Sequence, residues 1–200
     1  MNINKAIRKQ QKSYKRFMLL MCFVFFIIPA ILIYTKKLSL FYIAYASIIQ
    51  FLIIISMLVK KHNEHIKFKI IENYRLYIEL GLFKKKVNIL CDAIEIVHAE
   101  SFKRKSDGKE DFEIIMITSS KFKSEYVVPV NSKLFKLHPF IAHRYKKRKM
   151  LYPEKSYFFT VIKKGKLYKY VLLDMIYRRC VNAEFTYEAI DRIKEYRESL

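Results

Sequence analysis

Residues 17–34 read FMLLMCFVFFIIPAILIY, and residues 38–59 read LSLFYIAYASIIQFLIIISMLV. Neither stretch contains a charged side chain. Each is close to the length that an α-helix needs to cross a hydrocarbon core of about 30 Å, at about 1.5 Å per residue. Backbone amides in that layer must be paired within the chain, which favours helices. We therefore expect a two-helix transmembrane hairpin over 17–60, with spans at 17–34 and 38–59.

The first apolar stretch is also compatible with a secretory signal peptide. However, it is longer than the usual apolar region of such a peptide, and no small-x-small cleavage pattern follows it. A second apolar stretch begins almost at once, which favours the hairpin. Pro29 lies near the end of the first span, where a kink is tolerated because the freed carbonyl can be satisfied locally.

The distribution of lysine and arginine predicts the orientation of the hairpin. The first 60 residues contain nine basic residues and no acidic one. Most of the nine lie in 1–16, and further lysines follow the second span, whereas the connection at 35–37 carries two. Loops rich in lysine and arginine remain on the cytoplasmic side of a membrane. We therefore expect a plasma-membrane protein with a basic cytoplasmic segment at 1–16 and both termini in the cytoplasm.

The second span carries a stripe of small and polar side chains, formed by Ala44, Ser47 and Gln50. Such residues allow transmembrane helices to pack closely or to hydrogen-bond. The stripe predicts a packing surface against the first span of the same chain, with self-association or a transport pathway as alternatives. Neither span contains Asp, Glu, Lys, Arg or His, so a proton or ion path lacks its usual signature.

Apolar and polar residues alternate from Ile66 onward, a pattern typical of half-buried antiparallel strands. Turn residues at 72–73, 106–108 and 163–166 separate the alternating stretches. The predicted strands are 66–70, 74–80, 87–89, 94–96, 112–118, 126–130, 157–162 and 167–173.

The end of the chain repeats apolar residues at helical spacing, at Phe185, Ala189, Ile193 and Tyr196. The pattern predicts an amphipathic helix at about 185–199 that covers an open edge or end of the sheet. We therefore expect a domain at 61–200 in which seven or eight strands precede one helix.

The stretch FKIIENYRLYIELGLFKKKVNILCDAIEIVHAE (68–100) resembles the opening of bacterial pleckstrin-homology-like domains attached to transmembrane hairpins. The likeness lies in a strand, turn and strand over 68–81, a short basic turn at 84–86, and two strands broken by Asp92. It extends over about 66–130 and includes the terminal helix, whereas 131–155 departs from the pattern. The resemblance implies a bent antiparallel sandwich or barrel with a C-terminal capping helix, and it carries over no binding residues.

Sequence motifs for catalysis are absent from the chain. It contains three glycines and has no GxGxxG, no Walker-type loop and no Gly-x-Ser-x-Gly elbow. His62 and His65 have the spacing of two metal ligands, but no third ligand is patterned nearby. We therefore expect no enzyme, no cofactor and no metal site. A membrane-bound enzyme whose pocket is assembled from distant residues is the alternative.

The segment 134–151 reads LFKLHPFIAHRYKKRKML and combines apolar residues at near-helical spacing with a polybasic run. The candidate residues for binding anionic lipid or an acidic partner are Arg144, Lys146, Lys147, Arg148 and Lys149. Apolar anchors beside basic side chains suit the surface of an anionic leaflet. The alternative is a solvated loop in which Pro139 breaks any helix. Nucleic acid is disfavoured, because the strand aromatics are expected in a core and the chain is tethered to a membrane.

Composition narrows the class of partner. The chain has 39 basic and 18 acidic residues and a formal net charge of +21, which favours an acidic partner. Cys22, Cys91 and Cys180 are odd in number and widely separated, which argues against a disulfide framework and favours a reducing compartment.

The sequence as a whole predicts a membrane α-helical hairpin joined to a mainly β (α+β) soluble domain. Its expected partners are the lipid bilayer, anionic lipid headgroups, and a membrane protein or a second copy of the chain. Its expected function is that of a non-enzymatic interaction module, and the resemblance implies a role in envelope stress or in resistance to membrane-active peptides. The alternative function is that of an accessory subunit of a larger membrane complex, such as a secretion or transfer apparatus.

Overall fold

A computed structural model describes residues 2–36, 39–71, 74–82, 85–104, 108, 110–121, 124 and 126–200. Parts of the predicted turns, at 72–73, 84 and 106–107, lie outside the described residues, as does the junction of the predicted loop and second span at 37–38. The described chain is an α+β protein in which two long apolar helices precede a sheet-rich domain.

The two helices are α1 (Ile3–Tyr34) and α2 (Leu40–Glu64), and both are long and apolar enough to cross a membrane. The Asn2 side chain caps α1 by accepting a hydrogen bond from the backbone N–H of Lys5 at 2.9 Å. The basic segment predicted at 1–16 is therefore not a separate element, since from Ile3 it forms the first half of α1. The second helix likewise continues past the predicted end of its span.

The strands of the domain form two sheets. Their bounds are β1 Ile66–Ile71, β2 Arg75–Leu80, β3 Lys85–Leu90, β4 Ile94–Lys103, β5 Glu110–Thr118, β6 Val128–Pro129, β7 Phe158–Ile162 and β8 Glu184–Phe185. Within the described residues, the first sheet has the antiparallel order β1-β2-β3. The second has the order β6-β7-β5-β4-β8, in which the β4–β8 pair is parallel and the other pairs are antiparallel.

In the part of the domain that the structure describes, the α-helices that accompany the sheets are α3 (Ser132–Leu137), α4 (Pro139–Leu151), α5 (Tyr168–Arg179) and α6 (Tyr187–Arg197). The helices α3 and α4 cover one face of the second sheet through a small apolar cluster that includes Leu134 and Ile141. The opposite face of that sheet contributes to the main core together with the first sheet, α5 and α6. Strands β4 and β5 are thus buried on both faces over 94–99 and 112–118, which explains the unbroken apolar run at 114–117.

The start of α1 also belongs to the main core. Ile3 is fully buried and Ile7 is 7 % exposed, and both pack in the same cluster as Leu76, Ile114 and Leu173. Gln10 adds a polar contact, because its side-chain oxygen accepts a hydrogen bond from the backbone N–H of Leu167 at 3.4 Å. The membrane anchor and the domain therefore share one folded unit.

One predicted strand is wrong, a second is shorter than expected, and the alternatives left open for the polybasic segment are decided. The stretch predicted as a strand at 167–173 lies in α5, where Lys169, Leu172, Leu173 and Ile176 are buried at helical spacing. The predicted strand at 126–130 is reduced to Val128–Pro129. The polybasic segment forms α4, in agreement with its near-helical spacing of apolar residues, and the alternative of a solvated loop is wrong. Pro139 does not break the helix, because it occupies the first turn, where its missing N–H leaves no hydrogen bond unmade.

The cysteines differ from the expectation as well. Cys91 follows β3, Cys180 caps the end of α5, and the two form a disulfide with their Cα atoms 4.6 Å apart. Both are buried in the main core, while Cys22 is exposed on α1. Spacing along the chain does not reveal a pair that is separated by 89 residues.

Candidate membrane-proximal site

The two anchor helices contact each other through a narrow stripe. Ala46 and Ile53 of α2 are buried, and between them the side-chain amide of Gln50 donates to the carbonyl of Phe25 at 3.4 Å. Of the predicted packing residues, Gln50 therefore faces the first helix, whereas Ala44 and Ser47 are exposed. Within the two predicted spans, most of the other exposed side chains are large and apolar, which suits contact with lipid.

The polybasic run of α4 is divided by contacts within the domain. Arg144 forms an ion pair with Glu184 at 2.6 Å, and Arg148 forms one with Glu95 at 2.8 Å. Lys149 donates to the backbone carbonyls of two residues in the loop that follows α4, at 2.6 and 2.7 Å. The structure thus turns Arg144, Arg148 and Lys149 toward the protein.

The exposed part of that run is formed by Lys146 and Lys147. Sequence reasoning could not separate the two sets, because the acidic partner of Arg148 lies 53 residues away on β4. Burial by itself would raise the pKa of that partner, Glu95, but hydrogen bonds from Lys155 and Arg148 hold the pKa below its ordinary value. Glu95 is therefore an ionised anchor for the C-terminal half of α4.

A second basic surface lies where the apolar part of the anchor meets the domain. An open cleft of about 630 Å³ is bounded on one side by Phe17, Ile55 and Val59, at the ends of the predicted spans. Its other wall is formed by the β4–β5 hairpin and by the loop between β7 and α5. We call this space the boundary cleft, and its basic residues are Lys60, Arg104, Lys163, Lys164 and Lys166.

The acidic residues of the boundary cleft already have basic partners. Glu64 contacts Lys60 at 3.2 Å and Lys166 at 2.6 Å. Asp111 contacts Arg104 at 3.7 Å and the buried Lys169 at 2.7 Å. The cleft therefore holds more positive than negative charge, and its carboxylates already form ion pairs with basic side chains of the protein.

Lys164 has a different environment from the other cations of the boundary cleft. Its Nζ contacts Nε2 of His62, whose Nδ1 accepts a hydrogen bond from the backbone N–H of Leu82 at 3.0 Å. A neutral ring that accepts at Nδ1 carries its proton on Nε2, so an ammonium at Lys164 faces another donor. Burial and the nearby charge of Lys85 lower the pKa of Lys164.

The packing around His62 depends on a glycine. Gly81 has φ +69°, a conformation that L side chains rarely adopt. A Cβ at this position would lie 2.7 Å from Nδ1 of His62 and 3.2 Å from Nζ of Lys164. The turn after β2 therefore approaches the end of α2 closely, and this approach holds the imidazole against Lys164.

A third polar cluster joins α4 to the second sheet. Glu100 and Glu113 lie directly opposite each other on β4 and β5. His138, at the start of α4, contacts Glu100 through Nδ1 and approaches Glu113 through Nε2 at 3.5 Å. Two carboxylates and an imidazole form a set that transition metals accept, and one ligand atom of each lies within 4.8 Å of the others.

The orientation of His138 favours an ionic link over a metal site. Both ring nitrogens face carboxylates, so an N–H on either nitrogen can be donated to an anion without a metal ion between them. Lys163 adds a further positive charge by contacting Glu113 at 2.9 Å. Among the described residues, His62 and His65, which have the spacing of two metal ligands but were not expected to form a site, belong to no potential metal-binding group.

Comparisons with known proteins provide no relative: no protein-family model matches the chain, and no curated protein or solved structure matches it significantly.

Proposed function

We propose that this chain is a non-enzymatic integral membrane protein whose basic domain acts as an interaction module against the inner leaflet or a membrane protein partner. The continuity of α1 carries the proposal. One helix begins in the core of the domain, at Ile3 and Ile7, and continues into an exposed apolar segment long enough to cross a membrane. The domain is thereby held close to the bilayer, where weak contacts act at a high effective concentration.

The proposed orientation places the domain in the cytoplasm. It rests on the nine basic residues and no acidic one among the first 60, with only two of the nine between the spans. The disulfide between Cys91 and Cys180 argues for the opposite side, since disulfides are rare in the cytosol. The charge distribution has more weight, because it involves many residues and because two buried cysteines also pack as small apolar groups when reduced.

Reporter fusions test the orientation. A fluorescent protein that folds only in the cytoplasm, fused after Leu200, should fluoresce, and alkaline phosphatase fused at the same position should be inactive. The reverse result would contradict a cytoplasmic domain.

The resemblance to pleckstrin-homology-like domains is part of this proposal. It is supported by two largely antiparallel sheets around a common core and by the final helix α6, which packs against β4. The helices α3, α4 and α5 have no place in a simple pattern of strands followed by one helix. A role in envelope stress or in resistance to membrane-active peptides depends on this fold-level analogy alone.

Contact of α4 with the leaflet can be tested in the intact chain. The protein would be reconstituted in nanodiscs of phosphatidylcholine, with and without phosphatidylglycerol, and hydrogen exchange of α4 measured. Phosphatidylglycerol should increase protection of α4, and the variant Lys146→Gln/Lys147→Gln should remove the increase. The matched variant Lys133→Gln/Lys136→Gln, with two exposed lysines changed on α3, should retain it. Equal exchange of the unmodified protein in both lipids would exclude the contact.

A second candidate function is that of an accessory subunit in a larger membrane complex. It is favoured by the C-terminal end of α4, where Met150 and Leu151 are 80 % and 62 % exposed beside Lys146 and Lys147. Exposed apolar side chains next to basic ones suit an acidic protein surface. Purification from native membranes in mild detergent discriminates the two functions. A stoichiometric partner lost in Met150→Ser/Leu151→Ser supports the subunit, and a lone protein or homo-oligomer favours the lipid-facing module.

A further inference from the structure

One wall of the boundary cleft is apolar and the opposite wall is basic, and these two walls match the acyl chain and the anionic headgroup of a phospholipid. Ile55 and Val59 form an apolar wall at the end of the second predicted span, at the depth where acyl chains begin. Lys163 and Lys164 lie on the opposite wall, on the domain side. A molecule that fits both walls needs an anionic group joined to an apolar chain.

The charges of the boundary cleft favour an anion. Its two carboxylates, Glu64 and Asp111, already contact basic side chains. Lys164 faces the imidazole of His62 and lies near Lys85, so its charge has a donor and a cation as neighbours. An oxygen of a phosphate would accept a hydrogen bond from both Lys164 and the Nε2–H of His62, and so would relieve this opposition.

Lys163 and Lys60 also lie where they can contribute to binding an anion in the boundary cleft. Lys163 is exposed along 61 % of its side chain and contacts Glu113 at 2.9 Å, so an anion in the cleft could share its ammonium with that carboxylate. Lys60 lies over the ring of Phe17 at 5.1 Å, at the rim where headgroups and acyl chains meet. The cleft therefore places three ammonium groups around a single space, and that of Lys164 faces a donor and lies near a second cation.

We propose that the boundary cleft binds the phosphate headgroup of an anionic phospholipid, with Lys164 and Lys163 contacting the phosphate and the acyl chain lying along Ile55 and Val59. This inference rests on the membrane placement in the proposed function and does not depend on contact between α4 and the leaflet. The polybasic run of α4 is a separate surface. Its anchor Glu95 is seven residues along β4 from Phe102 in the cleft, or about 23 Å at the rise of a strand.

Native mass spectrometry of the full-length protein in mild detergent tests the site. Protein incubated with equimolar phosphatidylglycerol and phosphatidylcholine should retain one phosphatidylglycerol selectively. Lys163→Gln/Lys164→Gln should lower that retention about tenfold or more, since each basic residue near a membrane surface adds an attraction of about 1 kcal/mol. Lys164→Arg, which keeps the charge, should retain binding.

The matched control is Lys133→Gln/Lys136→Gln, which makes the same change in net charge at two exposed positions of α3 and should bind as the unmodified protein does. An equal loss in this control would show a non-specific charge effect and overturn the site. Equal retention of both lipids by the unmodified protein would overturn it too. Displacement of the lipid by excess inorganic phosphate would show that the cleft binds a free anion, and would overturn the proposal of a lipid ligand.

Membrane extraction separates failure of this inference from failure of the proposed function. Release of the chain by alkaline carbonate would show that it is not an integral membrane protein, and both proposals would fail. A chain that resists carbonate but retains no phosphatidylglycerol selectively would refute the cleft alone. Thermal unfolding of each variant without added lipid identifies any variant that fails to fold, and for such a variant Lys164→Gln alone replaces the double change.

Discussion

Lys169 is a lysine with no exposed surface. Its ammonium donates to Asp111 at 2.7 Å, to the carbonyl of Phe112, and to the carbonyl of Lys163 at 3.2 Å. Burial lowers the pKa of Lys169, and the charge of Asp111 opposes that shift. The side chain thus connects α5 to the start of β5 and to the loop that forms one wall of the boundary cleft.

Replacing Lys169 should therefore destabilise the domain strongly. Lys169→Met leaves the nearly buried carboxylate of Asp111 with the longer ion pair to Arg104 and a hydrogen bond from the backbone N–H of Phe112. The loss of one charged partner from a buried pair costs about 3–5 kcal/mol. Lys169→Met/Asp111→Asn should recover much of that loss, because no buried charge remains. Chemical unfolding in detergent measures both, with the exposed Lys194→Met as control. Similar stability of the single variant and the control would contradict the buried ion pair.

His98 gives the domain a dependence on pH. It is buried, its Nδ1 lies 2.9 Å from the hydroxyl of Thr186, and its ring stacks on Phe140 at 5.0 Å. Burial lowers the pKa of His98 from its ordinary value, outweighing the opposite effect of Glu188 and Glu100. His138 and Arg144 also face the ring and lower the pKa further.

The sign of the pH effect follows from the lowered pKa of His98. Above about pH 6.5 the imidazole is neutral in both the folded and unfolded states, so it adds no pH dependence. As the pH falls below that value, the unfolded state binds the proton first and stability is lost. His98→Asn should therefore reduce the drop in thermal unfolding temperature between about pH 7.5 and about pH 5.5. His143→Asn, exposed on α4, should leave the drop unchanged, and an equal effect of both variants would contradict the prediction.

At the scale of elements, the register of β4 and β5 places two carboxylates opposite each other, and an imidazole at the start of α4 contacts both. Glu100 and Glu113 are directly opposed, and like charges in that position destabilise a sheet. His138 lies between them and Lys163 contacts Glu113 from the other side. The start of α4 is thereby attached to the sheet by polar contacts as well as by the apolar contact of Ile141.

Removal of that imidazole should loosen α4. His138→Ala leaves two carboxylates facing each other with one fewer donor, at a cost of about 2 kcal/mol. The expected result is a lower free energy of unfolding and faster hydrogen exchange in α4. His143→Ala changes an exposed histidine of the same helix and is the control. Added Zn²⁺ should not restore the unmodified protein's exchange in His138→Ala, and stabilisation of the unmodified protein by Zn²⁺ would instead favour a metal site.

At the scale of the whole molecule, the anchor is part of the domain's core rather than an appendage. Ile3 and Ile7 lie on α1 about one helical turn apart and are buried among strand and helix side chains of the domain. A fragment that starts at residue 61 would expose the apolar surface that these side chains cover. The intact chain is therefore the folding unit of the domain.

Substitution of the buried end of α1 tests this dependence. Ile3→Ala/Ile7→Ala should destabilise the domain by at least about 2 kcal/mol, the lower end of the cost for one buried isoleucine. Phe23→Ala removes a larger side chain from the exposed part of the same helix and should leave the domain's stability unchanged. The measurement is limited proteolysis of each full-length variant in detergent, with the rate of cleavage followed within 61–200. Equal resistance of the two variants would show that the domain folds without α1.

The sequence by itself determined the two apolar helices, the strands around Ile78 and Ile115, and the helix at the end of the chain. Each of these follows from a repeat within one segment, because a strand or helix with one buried face requires apolar residues at a fixed local period. The same reasoning failed at 167–173, where a run of apolar residues is compatible with either period and packing selected the helix.

Only the tertiary structure decided which surfaces meet. Lys164 and His62 are 102 residues apart, and Arg148 and Glu95 are 53 apart, so no local pattern links them. The sequence therefore predicted the polybasic run as one exposed cluster, whereas the structure pairs Arg148 with Glu95 of β4. The boundary cleft could not be predicted, because its walls come from four segments that are distant in the sequence. A helix or strand with one buried face has apolar residues at a regular local spacing, whereas the partner that covers that face depends on how the whole chain is connected.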